Sequence, residues 1–259
     1  MANEESWREN RYHEDMRVRS YESDSMGVAK AHELCNYLQE AAQGNAHELG
    51  YGYDEMLAKH LAWVLNRMRV TIHRYPKFTD ALRVWTWPVG CNKLYAWRRF
   101  RIEDMDENLL VDADSRWVML DIKNRALFRL PEDFKNYAGP LREEVFVDAP
   151  KKLSAPAAPE MEIPFPVRRG DLDPNGHVNN TTYIQWVAET APDTILETMR
   201  PSVLDIQFKA ECRFPEIVGS QSARAGSTDT DSLHSLHVLH RLGDQQEVAR
   251  AEVIWKRFS

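Results

Sequence analysis

The sequence lacks the features that mark membrane, secreted and disulfide-rich proteins. No run of residues approaches the ~18 consecutive apolar positions that a membrane-spanning helix needs, so we expect no membrane partner. The N-terminal stretch MANEESWRENRYHEDM is charged, has no apolar core and is too acidic for a transit peptide, which predicts a cytoplasmic protein or a mature form whose targeting segment has been removed. The three cysteines, Cys35, Cys91 and Cys212, are too few and too widely spaced for a disulfide framework or a tetrahedral zinc site. Each is expected to be a small buried hydrophobe.

The chain also lacks an excess of basic residues. Its formal net charge is -7, which argues against non-specific nucleic-acid binding. The 259 residues suffice for one large domain or two of ordinary size, and 43% hydrophobic with 28% charged residues is typical of a globular protein.

A long internal repeat is the main organising feature of the chain. The 25 residues VRSYESDSMGVAKAHELCNYLQEAA from Val18 match VRRGDLDPNGHVNNTTYIQWVAETA from Val167 at a constant offset of 149. A second match pairs Arg74-Tyr75-Pro76 with Arg213-Phe214-Pro215 at an offset of 139. The shorter offset predicts about ten extra residues in the first copy, in the stretch 50–60. Two matches in the same order favour a duplicated unit.

Each copy is predicted to contain a short strand, a turn, one long helix and several strands. Apolar residues at steps of three and four form one stripe in each helix. In the first helix these are Ala31, Leu34, Cys35, Leu38, Ala41 and Ala42, and in the second Tyr183, Ile184, Val187, Ala188 and Ala191. The following runs are rich in Val, Ile, Trp, Tyr and Phe, and several alternate, which predicts antiparallel strands. The fold class is therefore α+β, with each sheet wrapped on a helix.

Proline marks the boundary between the copies. Seven of the 13 prolines lie between Pro131 and Pro166, and proline interrupts both helices and sheet ladders. We therefore predict an N-terminal domain over residues 1–130, an extended linker over 131–163 and a C-terminal domain over 164–259.

The densest group of chemically capable residues is DLDPNGHVNN, residues 171–180, between a strand and the second helix. Turn chemistry accounts for part of it, and Asn179 or Asn180 is a candidate N-cap of the helix. His177 has no such explanation. The start of a helix also offers free N–H groups and a positive dipole end for a developing oxyanion.

The first copy serves as an internal comparison for this group. Asn175 is replaced there by Met26, and His177 by Val28, while the aspartate and glycine are kept as Asp24–Asp173 and Gly27–Gly176. The aspartate and the glycine that both copies keep are the residues that the turn needs. Asn175 and His177, which only the second copy has, are therefore candidates for chemistry.

A third element is FKAECRFP, residues 208–215, where Glu211 and Cys212 are adjacent. On a regular strand, neighbouring side chains point to opposite faces. Cys212 belongs to an apolar row and Glu211 to a polar row, which predicts that Cys212 lies in the core. Glu211 is then either a site residue or a surface glutamate beside Lys209 or Arg213.

Taken together, these segments resemble one enzyme family. The stretch DLDPNGHVNNTTYIQWVAE is similar to the signature of plant and bacterial acyl-acyl-carrier-protein thioesterases. VRSYESD, NYLQEAA, LAWVLNRMRVTIHRYP and SRWVMLDIKNRALFRLPEDF resemble the same family in the expected order, across nearly the whole chain. The resemblance implies two tandem hot-dog domains, each an antiparallel sheet around a long central helix. It implies a catalytic C-terminal copy and an N-terminal copy that supplies much of the acyl-chain pocket.

The resemblance also implies residue roles. The catalytic residues of the family fall on Asp173, Asn175, His177 and Glu211. The adjacent family cysteine falls on Cys212, whose nucleophile role the strand argument disfavours. The implied reaction is hydrolysis of a fatty acyl thioester of acyl carrier protein, which ends chain elongation in fatty acid biosynthesis, without a metal or organic cofactor.

Substrate contacts are predicted more loosely. Asn179 and Asn180 are candidate substrate-binding residues next to the turn, and Trp63 and Met68 are candidates for the acyl-chain pocket. An acidic carrier protein needs a basic patch, for which Arg98, Arg99 and Arg101 near Lys93 are candidates; a solvated strand face explains them as well. A homodimer remains an open alternative, because exposed sheet edges can associate.

Three other functions remain as alternatives. An acyl-coenzyme A thioesterase would use the same site. A hot-dog hydratase or dehydratase of enoyl thioesters would leave Glu211 without a role. A non-catalytic acyl-binding protein would not need Asn175 and His177.

Overall fold

The structure is a computed structural model and describes residues 11–134, 145–147, 149–150, 152–226 and 231–257. The chain divides into two compact units. Unit 1 comprises Met1–Leu65 and His73–Val147, and unit 2 comprises Asn66–Ile72 and Asp148–Ser259. Of the predicted linker, residues 135–144, 148 and 151 lie outside the described residues. No helix in the described ranges is long and apolar enough to cross a membrane.

Unit 1 is an antiparallel sheet with one long helix against it. Its elements are β1 (Tyr12–Arg17), α1 (Ala31–Glu48), α2 (Tyr53–Ala58), β2 (Leu61–Ile72), β3 (Ala81–Cys91), β4 (Tyr95–Asp104), β5 (Leu109–Asp121) and β6 (Ala126–Phe128). The strand order is β1-β3-β4-β5-β2, with β6 paired to β5. Helix α1 packs against β1 and β3. The α+β arrangement predicted from the sequence is confirmed.

The apolar stripe of α1 faces the core of unit 1. Leu34, Cys35, Leu38, Ala41 and Ala42 are all buried, as their spacing predicts. Burial of such side chains contributes roughly 25 cal/mol per Å² of apolar surface removed from water. This burial holds the helix on the sheet.

Unit 2 repeats the arrangement with a shorter helix. Its elements are β7 (Met161–Pro166), α3 (Asn180–Glu189), α4 (Asp193–Leu196), β8 (Met199–Phe208), β9 (Ile217–Arg224), β10 (Ser232–Arg241) and β11 (Glu247–Arg257). The strand order is β8-β11-β10-β9-β7, and α3 packs against β8, β9 and β10. Strand β7 begins within the predicted linker.

The second half of β2 is grouped with unit 2, where it pairs antiparallel with β8. A buried ion pair accompanies this pairing. Arg67 donates to both carboxylate oxygens of Asp205, at 2.8 and 2.7 Å, and Arg69 adds a contact of 3.2 Å. A bidentate guanidinium–carboxylate pair of this kind fixes the register of the two strands.

The structure corrects the second repeat match. Lys77 N donates to Asp80 Oδ2 at 2.8 Å, and Arg213 N donates to Glu216 Oε2 at 2.7 Å, which gives an offset of 136 rather than 139. The hydrogen bonds of Val18 N to Asp80 O and of Val167 N to Glu216 O give the same offset. The Arg-aromatic-Pro match was therefore three residues out of register, and the position equivalent to Glu211 is Tyr75.

Candidate active site

The turn before α3 is built around the carboxylate of Asp173. Its Oδ1 accepts hydrogen bonds from the backbone N–H groups of Asn175, at 2.8 Å, and His177, at 3.1 Å. Asp173 N donates to His177 O at 2.7 Å, which closes the loop. Gly176 has φ +75°, a conformation that other residues adopt only with strain. The turn thus fixes the backbone that carries Asn175 and His177.

The first copy contains the same turn without the same side chains. Asp24 Oδ1 accepts from Met26 N at 2.9 Å and from Val28 N at 3.0 Å, and Gly27 has φ +73°. The prediction that aspartate and glycine are kept for the turn is confirmed. Asp173 therefore contacts the site residues through their backbone, and its Oδ2 lies 3.5 Å from Asn175 Nδ2, at the outer limit of a hydrogen bond.

The predicted N-cap is Asn179. Its Oδ1 accepts from Thr181 N at 3.0 Å and from Thr181 Oγ1 at 3.1 Å. This satisfies one of the free N–H groups at the start of α3. Asn180 is the first residue of the helix. The substrate-binding role of Asn179 and Asn180 stays a prediction.

His177 and Glu211 form the central pair of the site. The His177 Nε2 and Glu211 Oε2 atoms are 3.0 Å apart, and the two side chains are 19% and 38% exposed. They come from segments 34 residues apart in the sequence. Two groups that can accept protons therefore meet where solvent or substrate can reach them.

The segment that carries Glu211 is not the regular strand that the sequence predicted. Strand β8 ends at Phe208, so the alternation argument does not extend to Glu211 and Cys212. Tertiary hydrogen bonds position this segment instead. Val178 N donates to Cys212 O at 2.9 Å, Cys212 N donates to Tyr183 Oη at 3.0 Å, and Arg241 Nη1 donates to Glu211 O at 3.2 Å.

Cys212 has the buried position that was predicted for it. It is fully buried, and burial raises the pKa of the Cys212 thiol to about 11. The thiolate is the nucleophilic form of cysteine, so Cys212 carries a protonated thiol at neutral pH. This state disfavours a nucleophile role.

Arg213 is a site residue that the sequence reasoning missed. Its Nη2 lies 2.6 Å from His177 Nε2 and 3.8 Å from Glu211 Oε2. The sequence suggested Arg213 only as a surface partner of Glu211. The sequence feature that could have indicated a role for Arg213 is its position two residues after Glu211.

No group of three or more His, Cys, Asp or Glu residues with metal-binding geometry occurs among the described residues.

Unit 1 contains an aromatic cavity with an empty volume of about 570 Å³, which includes open solvent at its mouth. Its walls include Tyr51, Trp63, Trp97, Trp117 and Phe134, and residues of α1 such as Ala42 and Ala46. The predicted pocket residue Trp63 thus lines a cavity. Met68 is fully buried and is not part of this lining.

The predicted basic patch does not form as expected. Arg98 is 9% exposed and donates to Asn45 Oδ1 at 2.7 Å and Thr86 Oγ1 at 3.0 Å. Burial lowers the pKa of the Arg98 guanidinium to about 10. Arg99 is paired with Asp114 at 3.0 Å, and Arg101 lies 3.8 Å from Glu103. Because β4 alternates, Arg98 points into unit 1 and cannot contribute to a surface patch.

Comparisons with known proteins cover both units. The family described as acyl-ACP thioesterase N-terminal domain matches residues 9–137, and the acyl-ACP thioesterase C-terminal domain matches residues 154–257. The chain is 30% identical to oleoyl-acyl carrier protein thioesterase 1 of Arabidopsis thaliana, over 95% of this chain and 76% of the relative. It is also 30% identical to palmitoyl-acyl carrier protein thioesterase of Cuphea hookeriana, over 95% of this chain and 62% of the relative.

A solved structure agrees with these matches. The 12:0-ACP thioesterase from Umbellularia californica superposes with a TM-score of 0.84 at 28% identity, over 96% of this chain and 94% of that one. The hot-dog architecture expected from the sequence is thereby confirmed.

Proposed function

This chain belongs to the acyl-ACP thioesterase family, and we propose that it hydrolyses fatty acyl thioesters of acyl carrier protein at the His177–Glu211 pair. The observation that carries the assignment of the site is the 3.0 Å contact between His177 Nε2 and Glu211 Oε2. It joins the two residues of unit 2 that can accept a proton from water and that unit 1 replaces by Val28 and Tyr75.

In the proposed reaction, a water molecule bound at this pair attacks the thioester carbonyl carbon. His177 or Glu211 accepts the water proton as the C–O bond forms. The tetrahedral oxyanion then collapses, the C–S bond breaks, and the proton passes to the thiolate sulfur. The products are a fatty acid and the carrier thiol. General-base help of this kind contributes typically ~10²–10⁴-fold to a rate.

Asn175 is the proposed donor to the carbonyl oxygen. Its side chain is exposed, and its amide lies 3.5 Å from Asp173 Oδ2, at the outer limit of a hydrogen bond, so it can turn toward a substrate. Asp173 acts through the turn, by fixing the backbone of Asn175 and His177. The positive end of the α3 dipole adds to the stabilisation of negative charge.

The aromatic cavity of unit 1 is the proposed binding pocket for the acyl chain. Five of its thirteen lining residues are tryptophan, tyrosine or phenylalanine, and their rings offer apolar surface to methylene groups. Replacement of Trp63 by alanine should therefore change the preferred chain length.

The first experiment measures thiol release from acyl-carrier-protein and acyl-coenzyme A thioesters of several chain lengths. Wild type, His177→Ala and Glu211→Ala are compared. His73→Ala is the matched control, since His73 forms an exposed pair with Asp112 in unit 1, at 2.5 Å. We expect release by wild type and His73→Ala and a loss of at least about 100-fold in the two site variants.

Two outcomes would contradict the proposal. Near wild-type turnover in both site variants would refute the assignment of the site. Faster turnover of coenzyme A thioesters than of carrier thioesters at every chain length would refute the carrier assignment.

A further inference from the structure

The contact between Arg213 and His177 defines the protonation state of the histidine ring. A guanidinium has only donors, so at 2.6 Å from Arg213 Nη2 the His177 Nε2 atom must accept through its lone pair. The ring is then neutral and carries its proton on Nδ1.

Glu211 places a second hydrogen-bond acceptor beside the unprotonated His177 Nε2. Its Oε2 is 3.0 Å from the same His177 Nε2, and two acceptors at this distance repel unless a proton or a cation lies beside them. If Arg213 were absent, the simplest arrangement would place the proton on Nε2, where it would be donated to Glu211. His177 and Glu211 would then be hydrogen-bonded to each other, and His177 Nε2 could not accept a proton from water.

The backbone around Arg213 is held independently of its guanidinium. Arg213 N donates to Glu216 Oε2 at 2.7 Å, and Glu216 is paired with Arg241 at 3.4 Å. Arg241 also donates to Glu211 O at 3.2 Å. The Arg213 side chain itself is 55% exposed, so its guanidinium can withdraw while the segment stays in place.

We propose that Arg213 is a positioning residue that keeps both bases of the site free of protons. It fixes His177 in the Nδ1–H tautomer with Nε2 directed into the site, and its charge balances the Glu211 carboxylate 3.8 Å away. When substrate enters, the attacking water replaces the guanidinium as the hydrogen-bond donor to Nε2, so this nitrogen stays unprotonated until it accepts the proton of that water. This inference rests on the proposed function of the His177–Glu211 pair.

The test combines kinetics with nitrogen NMR of the histidine rings. Arg213→Met removes the donor and the charge, and Arg213→Lys keeps a cationic N–H donor. The matched control is Arg169→Met, because Arg169 is exposed and stacks on Phe214, 4.3 Å from the ring centroid, without being one of the groups at His177 Nε2. The chain has nine histidines, and the His177 signals are identified by their loss in His177→Gln.

We expect Arg213→Met to lower kcat by at least about tenfold, a part of the general-base contribution, with KM within about twofold of wild type. The His177 Nε2 signal should move from the unprotonated to the protonated range. Arg213→Lys should recover part of kcat and the wild-type tautomer. Arg169→Met should change neither quantity.

Three results would overturn the inference: an unchanged His177 tautomer in Arg213→Met, an unchanged kcat, or a raised KM with an unchanged kcat, which would mean that Arg213 binds substrate. Unfolding curves of the variants separate these results from a loss of folding. If wild type releases no thiol, the proposed function fails, whereas the NMR comparison still tests the tautomer assignment.

Discussion

The buried histidine of β10 predicts how the protein responds to acid. His237 is fully buried, its Nε2 lies 2.8 Å from Ser235 Oγ, and its Nδ1 has no hydrogen-bond partner within the described part of the chain. Burial, with a further contribution from His234, lowers the pKa of His237 from 6.5 to about 3. The folded protein therefore holds this ring neutral.

The sign and size of the effect follow from proton linkage. Because the folded pKa is below the unfolded pKa, the unfolded chain binds the proton first as pH falls. Stability is lost from about pH 6.5 downward and continues to fall until about pH 3. For one such group the loss is about 2 kcal/mol at pH 5 and about 3 kcal/mol at pH 4, relative to pH 8.

The internal repeat supplies the variant that tests this prediction. His237 pairs with Ser222 across β9–β10, and Phe100 pairs with Thr86 at the equivalent place in unit 1. Phenylalanine therefore fits this position of the fold in unit 1. The free energy of unfolding in urea is measured at pH 8 and pH 5 for wild type and His237→Phe. Wild type should lose about 2 kcal/mol more than the variant.

The control is His73→Phe, at an exposed histidine, which should retain the loss that His237 causes because the buried ring is unchanged. If His237→Phe does not fold, His237→Leu replaces it. Equal losses of stability in wild type and the folded His237 variant would refute the reasoning.

Four further changes have defined expectations. Cys212→Ala should keep kcat within about threefold of wild type, because the thiol is buried and protonated; a 100-fold loss would restore the nucleophile reading. Gly176→Ala should cost about 1–2 kcal/mol of unfolding free energy because of its φ of +75°, whereas Gly170→Ala, with open space and no positive φ, should cost less. Asp205→Ala should cost about 3–5 kcal/mol in urea unfolding, because a buried arginine loses its carboxylate. Ala46→Leu narrows the unit 1 cavity and should shift thioester preference toward shorter acyl chains; an unchanged chain-length profile would count against that cavity as the chain pocket.

Much of the site could be predicted from sequence because it depends on local structure. The Asp-x-x-Gly turn, the N-cap at Asn179 and the apolar stripe of α1 are set by residues within one or two helical turns of each other. Comparison of the two copies then separated Asn175 and His177 from the residues that the turn needs. This comparison is valid because both copies form the same turn.

The residues that were missed or misplaced depend on contacts between distant segments. Strand β8 ends at Phe208 although the alternating pattern continues to Arg213, and the segment that follows the strand is held by hydrogen bonds to other elements. Arg98 was assigned to the surface because its run of arginines is polar, yet strand alternation turns its side chain toward Asn45 of α1. Arg213 was missed because its guanidinium reaches a histidine 36 residues away in the sequence.

The corrected register distinguishes the residues that both units need for folding from the candidate catalytic residues that only unit 2 contains. With the offset of 136, Glu211 is equivalent to Tyr75, so unit 1 lacks counterparts of Asn175, His177 and Glu211 but keeps the aspartate of the turn. Asp24 makes the same two backbone hydrogen bonds as Asp173 although no histidine follows it. The turn therefore accounts for the aspartate that the two copies share. The three residues found only in unit 2 are the ones whose replacement should abolish hydrolysis without unfolding the protein, whereas replacement of Asp173 should lower both activity and stability.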